Sequence, residues 1–298
     1  MSSPYTSFDI PWVKVIFVSL AIVALIIVCV VIYRHSVTLA RTQPMLIANP
    51  IMMSPLNVTA AKTKAQMSSV GREYTYNFWI NVNDWGKGYG NVKNILTRSA
   101  HNPFTVPKIL SNPSIFFYPE DNNLAIRVST MKNNVQYDPT LYPEYDAVQS
   151  PNGNGVYTVV NPYYYNQSNT QTTASTSTHL DTTIVCDVAN IPLQRWVMVT
   201  VILWNRTLDV YINGMLVRSA ILPGVPLFNA NDLSQIFVGS NSSQNTFNGY
   251  ISRLKYYQRA ITAKDVMGLY KTGPLPANFW WSNLKQNIKV TLDVSNDS

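Results

Sequence analysis

The chain has 298 residues, and 22 Lys and Arg against 15 Asp and Glu give it a formal charge of +7. That surplus comes from scarce acids, with glutamate only at Glu73, Glu120 and Glu144, and the bases between Lys62 and Lys289 form no run or stripe, which argues against nucleic acid as a partner. Cys29 sits in an apolar stretch and Cys186 is the other cysteine, so a disulfide framework is excluded, and the polar remainder of roughly 230 residues suffices for one large β domain or two small ones.

After a flank over residues 1–14, the first element expected is a transmembrane helix over residues 15–33. From Val15 through Leu20 and Leu25 to Tyr33 there is no charge, and about 19 residues at about 1.5 Å each span about 29 Å, the thickness of a hydrocarbon core. Trp12 and Tyr33 stand near headgroup level, and Lys14 and Arg34 close the segment. A cleaved signal is the alternative, but the stretch is longer than a signal's apolar region and runs into Arg34 and His35 instead of a small-residue cleavage site. Arg34 and Arg41 against Lys14 and Asp9 favour a cytosolic C-terminal domain. Sequons at Asn57, Asn166, Asn205, Asn241 and Asn296 argue the other way, with little weight in a chain this rich in Asn, Ser and Thr.

Residues 34–72, with Pro44, Pro50, Pro55 and no sustained period, read as a stalk or connector. From Glu73 the pattern alternates: Tyr74, Tyr76, Phe78, Ile80 and Val82 mark one strongly apolar face of a strand. Short strands are expected at residues 94–97, 114–118 and 124–130, the last two joined by a turn over residues 119–123. Residues 132–183, rich in Asn, Ser, Thr, Tyr and Pro, read as a polar surface insertion. Strands resume at residues 196–204 and 208–212, where Asn213 and Gly214 form a two-residue hairpin turn into residues 215–220. Further strands at residues 235–239 and 250–258 precede helical turns over residues 263–270, halted by Gly273 and Pro274.

The segments QRWVMVTVILWNRTLDVYINGMLVRS and IFVGSNSSQNTFNGYISRLKYYQRAITAKDVMGLY resemble the concanavalin A-like, laminin-G-like jelly-roll superfamily. Trp196, Leu208, Val210, Tyr211, Asn213, Gly214, Phe247, Gly249, Arg259, Ala260, Ile261 and Thr262 carry the likeness. The resemblance implies an all-β fold, an antiparallel β-sandwich over residues 73–273 preceded by the one helix, with residues 274–298 as a tail. Such a pattern reports packing between two sheets before it reports function.

Glycan-cleaving members of that family carry paired carboxylates in an order resembling Glu-x-Asp-x-x-Glu. Here Glu144 and Asp146 fit the first two places, but Gln149 stands at the third and cannot donate a proton as an acid, so no catalytic residue is expected. His35, His101 and His179 show no metal-ligand spacing. The resemblance keeps calcium open, with Asp121, Asn122 and Asn123 as loop oxygen donors, although a plain turn needs the same residues. Tyr163, Tyr164 and Tyr165, and Phe279, Trp280 and Trp281 in the tail, are candidate interface aromatics.

The function expected is non-enzymatic: a membrane-anchored structural or binding protein whose sandwich docks onto other structural proteins. Its build is similar to structural proteins of large DNA viruses with an internal membrane, where the anchor holds lipid and the domain faces the shell as a minor capsid protein. A glycan-binding surface lectin is the alternative, and a glycoside hydrolase the distant one.

Overall fold

A computed structural model describes residues 11–53, 57–60, 67, 71–100, 110–131, 145–149, 156–160, 186–222, 224–228, 235–240 and 244–276. Two units are distinguished, residues 1–41 and residues 42–298.

The first unit is built by α1 (Pro11–Thr42), a single helix of 32 residues. Proline suits its first position, where the missing N–H would have no partner. Within it, the 25 residues Val15–Leu39 are long and apolar enough to cross a membrane, and none of the apolar stretch is buried. The helix therefore runs past the expected end at Tyr33, because Arg34, His35 and the residues up to Thr42 carry no Pro or Gly to stop it.

Sixteen strands follow α1 among the described residues. The chain first forms β1 (Met45–Ile47), β2 (Ile51–Met52), β3 (Asn57–Ala60), β4 (Glu73–Asp84), β5 (Lys93–Ser99), β6 (Ser114–Phe117), β7 (Leu124–Arg127) and β8 (Thr130–Met131). It then forms β9 (Tyr145–Gln149), β10 (Val156–Val160), β11 (Trp196–Trp204), β12 (Thr207–Ile212), β13 (Met215–Ile221), β14 (Val225–Pro226) and β15 (Gln235–Gly239), after which come β16 (Asn248–Tyr257) and α2 (Ala263–Lys271). A seven-stranded sheet runs β1-β16-β4-β11-β12-β13, with β2 also on β16; a five-stranded sheet runs β3-β15-β5-β6-β7; a small one runs β14-β8-β10-β9.

The alternation of β4 is what packs the two large sheets together. Tyr74, Tyr76, Phe78, Ile80 and Val82 join Val197, Val199, Val201 and Leu203 of β11 in one buried cluster with Ile95, Ile115, Phe117, Ile126, Ile236 and Val238 of the other sheet. Each such side chain stabilises the fold by about 1.5–3 kcal/mol on burial. The opposite face of the seven-stranded sheet holds Trp79, Met198, Ile202 and Tyr211, covered by Ile261, Val266 and Leu269 at and within α2. Thr262 caps α2 through a reciprocal pair with Asp265, and Gly273 follows at φ +73°, so the helix starts and stops on local chemistry. Asn213 and Gly214 both take positive φ in the β12–β13 turn, and the Asn213 carboxamide oxygen accepts the Met198 N–H at 2.9 Å.

One expectation is corrected. Residues 34–72 are no free connector: β1 and β2 pair with β16, β3 pairs with β15, and Met53 is fully buried. Strands of two to four residues separated by prolines cannot display a period, and their pairing comes from strands distant in sequence. Within residues 132–183, β9 and β10 form an antiparallel hairpin pairing Tyr145 with Val160 and Gln149 with Val156.

Candidate functional site

The sandwich buries two polar clusters. On the outer side of the five-stranded sheet, Arg127 is bound bidentately by Asp187, with Nη1 on Oδ1 and Nη2 at 3.2 Å from Oδ2, and Tyr118 donates its hydroxyl to the same carboxylate. The guanidinium lies 5.8 Å from the Phe116 ring centroid. Val188 exchanges two backbone hydrogen bonds with Leu124 beside it, so the cluster fixes the segment that returns into β11. In the core, Arg98 donates to the Tyr76 hydroxyl at 3.2 Å and lies 5.4 Å from the Tyr256 ring centroid. Burial pushes both phenols up in pKa, as it does Tyr74, whose hydroxyl donates to Asn112 Oδ1 at 2.6 Å. The Arg98 cluster is buried, whereas Tyr118 and Asp187 leave the Arg127 cluster partly open at its rim, and both satisfy polar groups that specify the fold.

A third buried group stands at the loop end of the sandwich. Lys93 donates to the Pro119 carbonyl at 2.7 Å and to the Asn91 carbonyl at 3.3 Å, and its ammonium lies 4.4 Å from the Trp85 ring centroid. Burial pushes it down to about 8.

One exposed surface is apolar. Along β13, Met215, Leu216, Val217 and Ile221 are exposed, and Trp204 at the end of β11 is 60% exposed. Among the described residues β13 is the last strand of its sheet, so this apolar strand also forms an edge. Nothing in the sequence singles these residues out, because a half-apolar strand normally hides that half.

The residues marked from sequence fall into three groups. Trp12, Val15, Leu20, Leu25 and Tyr33 all lie exposed on α1. Asp121 is exposed on the β6–β7 turn, while Asn122 donates to the Ile191 carbonyl at 2.8 Å and Asn123 Oδ1 accepts the Asn190 N–H at 2.9 Å. The side chains of Asn122 and Asn123 thus tie one loop to another, and among the described residues no group of three His, Cys, Asp or Glu could hold a metal ion. Tyr163, Tyr164, Tyr165, Phe279, Trp280, Trp281, Glu144, His101 and His179 lie outside the described residues; Asp146 and Gln149 fall on β9. The Arg127–Asp187 pair went unmarked, since its partners stand 60 residues apart with no shared motif.

Comparison with known proteins gives a family match over part of the chain and a set of distant shapes. The model of the family described as the concanavalin A-like lectin/glucanases superfamily matches residues 139–267. That stretch contains every position from Trp196 to Thr262 on which the resemblance rests, and the sandwich is concanavalin A-like. Among solved structures, the binding domain of botulinum neurotoxin DC in complex with SialylT is 15% identical, with TM-score 0.39, covering 67% of this chain and 35% of that one. The botulinum neurotoxin serotype G binding domain is 13% identical, with TM-score 0.41, covering 77% of this chain and 46% of that one. The chain thus spans less than half the length of either structure. No curated protein matches the sequence.

Proposed function

We propose, from a concanavalin A-like sandwich joined to one apolar helix, that this is a single-pass membrane protein of non-enzymatic function whose sandwich binds another protein. The observation that carries the reading is the apolar stretch of α1, which is exposed along its length and has the length of a bilayer core. A cleaved signal fits less well. The helix continues unbroken through Arg34 to Thr42, and the Thr42 and Pro44 carbonyls accept backbone N–H groups of Gln258 and Tyr256. The exposed apolar edge of β13 at Met215, Leu216 and Val217 supports protein binding, because strand edges accept extended chains through main-chain hydrogen bonds.

The finer reading is a structural role in a virion: α1 in an inner membrane, the sandwich on the cytosolic or shell-facing side, and a shell protein as partner. Carbonate extraction and protease accessibility of sealed native membranes test the anchor and its orientation. Retention in the membrane with a digested, unglycosylated sandwich is expected. Release by carbonate would exclude the anchor, and a protected, glycosylated sandwich would exclude the shell-facing placement. Cross-linking in the same membranes should capture one abundant structural protein.

Glycan binding is the second reading, favoured by the lectin-containing family that residues 139–267 match. A glycan array read with and without calcium decides it: reproducible, sugar-specific signal would put glycan recognition ahead of protein docking.

A further inference from the structure

The end of the sandwich at which the chain enters it is chemically unlike the other end. The Thr42 carbonyl accepts the Gln258 N–H at 2.8 Å and the Pro44 carbonyl accepts the Tyr256 N–H at 3.1 Å, so the chain joins the sandwich beside the end of β16. Strand register carries that same end across the sheet: Tyr257 pairs with Thr75, Glu73 with Trp204, Trp204 with Thr207, and Thr207 with Ile221. At about 4.8 Å per strand, Trp204 lies about 14 Å and Ile221 about 24 Å along the sheet from this junction.

Both residues are wasted on the fold, with Trp204 60% and Ile221 71% exposed. Around them stand exposed arginines. Arg72 and Arg259 flank β4 and β16, and Arg206 occupies the β11–β12 turn. The turn is held rigidly, since Asn205 N–H donates to the Arg72 carbonyl at 2.9 Å and the Arg206 guanidinium donates to the Leu222 carbonyl at 3.0 and 2.6 Å. The acids at this end are engaged locally: Glu73 Oε2 accepts the Ala260 N–H at 3.3 Å, and Asp265 caps α2. At the opposite end lie Asp84, Glu120 and Asp121 with Lys87 and Arg195. Among the described residues, charge is therefore polarised along the strands, basic at the junction end.

We propose that this end face docks on the bilayer that α1 spans, with Trp204 and Ile221 in the headgroup layer and Arg72, Arg206 and Arg259 on anionic lipid phosphates. The proposal rests on the membrane reading of α1. Tryptophan favours the membrane–water interface, and a basic rim is drawn to an anionic leaflet. Only Gly-free, short chain separates α1 from β1, at Gln43 and Pro44. A surface tethered so closely meets lipid at high effective concentration, so even shallow insertion is populated. A soluble partner has no such advantage at this end.

The test uses the full chain in vesicles of phosphatidylcholine, with and without phosphatidylserine, carrying lipids brominated near the headgroup. Tryptophan quenching is compared between wild type and Trp204→Phe, a conservative change at an exposed site. The expected result is a loss of part of the quenching in Trp204→Phe, with that part larger when phosphatidylserine is present. Arg72→Gln with Arg259→Gln should abolish the phosphatidylserine dependence while Trp204 stays in place. Equal quenching of wild type and Trp204→Phe in a carbonate-resistant chain would overturn the docking and leave the anchor standing, and would assign the end face to a protein partner. Carbonate release would instead overturn the anchor itself.

Discussion

Trp79 and Tyr270 stack face to face, their ring centroids 5.7 Å apart and their planes 16° from parallel. Trp79 belongs to the outer face of β4 and Tyr270 to the last turn of α2, so one ring pair clamps the helix over the sheet. Such pairs contribute about 0.5–1.5 kcal/mol beyond their area burial. Tyr270→Ala should therefore destabilise the sandwich by about 1–2 kcal/mol, whereas Tyr270→Phe should cost about a quarter of that. Urea unfolding in detergent, followed by tryptophan emission, measures both. Equal losses for the two variants would show that the hydroxyl, not the stacking, secures α2.

Gly249 and Gly214 bear the family likeness for different physical reasons, and substitution separates them. A Cβ on Gly249 would lie 2.0 Å from the Asn81 carbonyl oxygen of the neighbouring strand, a contact only backbone movement relieves. At Gly214, φ is +86° and the nearest atoms belong to the flexible end of Met267 at 3.1 Å. Gly249→Ala should cost more than about 4 kcal/mol and leave little folded protein, while Gly214→Ala should cost about 1 kcal/mol. The yield of protease-resistant sandwich and the urea midpoint rank them. The reverse order would mean that β16 and β4 do not approach as closely as these positions require.

Gly214, like β4 and α2, is legible because its signal is local, whereas Gly249 is marked only by the resemblance. The alternation Tyr74 to Val82 has the period of a strand, Asn213–Gly214 has the chemistry of a left-handed turn, and Thr262 to Asp265 spells a helix start. What the sequence hid depends on partners far along the chain. β1, β2 and β3 are too short to show a period and exist because β16 and β15 offer edges. Arg127 occupies an outward place in an apolar strand, and only the folded chain brings Asp187 to it. The exposure of Trp204 and Ile221 was equally hidden, since a sequence pattern shows which residues share a face but not which face lacks a cover.

Lys93 supplies a pH dependence whose sign can be worked out. Its ordinary value is 10.5 and burial lowers it to about 8, so between these values the folded chain has released a proton that the unfolded chain keeps. Stability then rises with pH across that window, and below about 8 the burial penalty of the charged amine is present in full. The buried phenols of Tyr74, Tyr76 and Tyr256 act oppositely at higher pH, because their raised values make the folded state hold protons the unfolded state loses above 10. Comparing wild type with Lys93→Met isolates the lysine. Urea unfolding at about pH 7.5 and about pH 9.5 should show wild type gaining stability relative to the variant as pH rises. A constant difference would mean that the Pro119 and Asn91 carbonyls and the Trp85 ring keep the ammonium charged throughout.

The Arg127–Asp187 pair makes the sharpest energetic test. Both groups are nearly or fully buried, and the carboxylate also takes the Tyr118 hydroxyl, so removing either partner strands a charge away from water. Breaking such a pair costs about 3–5 kcal/mol, whereas replacing both members by apolar side chains of similar volume is often neutral. Arg127→Met and Asp187→Leu should each lose about 3–5 kcal/mol, and the double variant should lose far less than their sum, with Asp187→Leu recovering stability in the Arg127→Met background. Unfolding free energies for the four chains close the cycle. Additive losses would show that the two side chains act independently, Arg127 through its packing on Phe116 and Asp187 through Tyr118, and that the segment returning into β11 is held by the Leu124–Val188 backbone bonds alone.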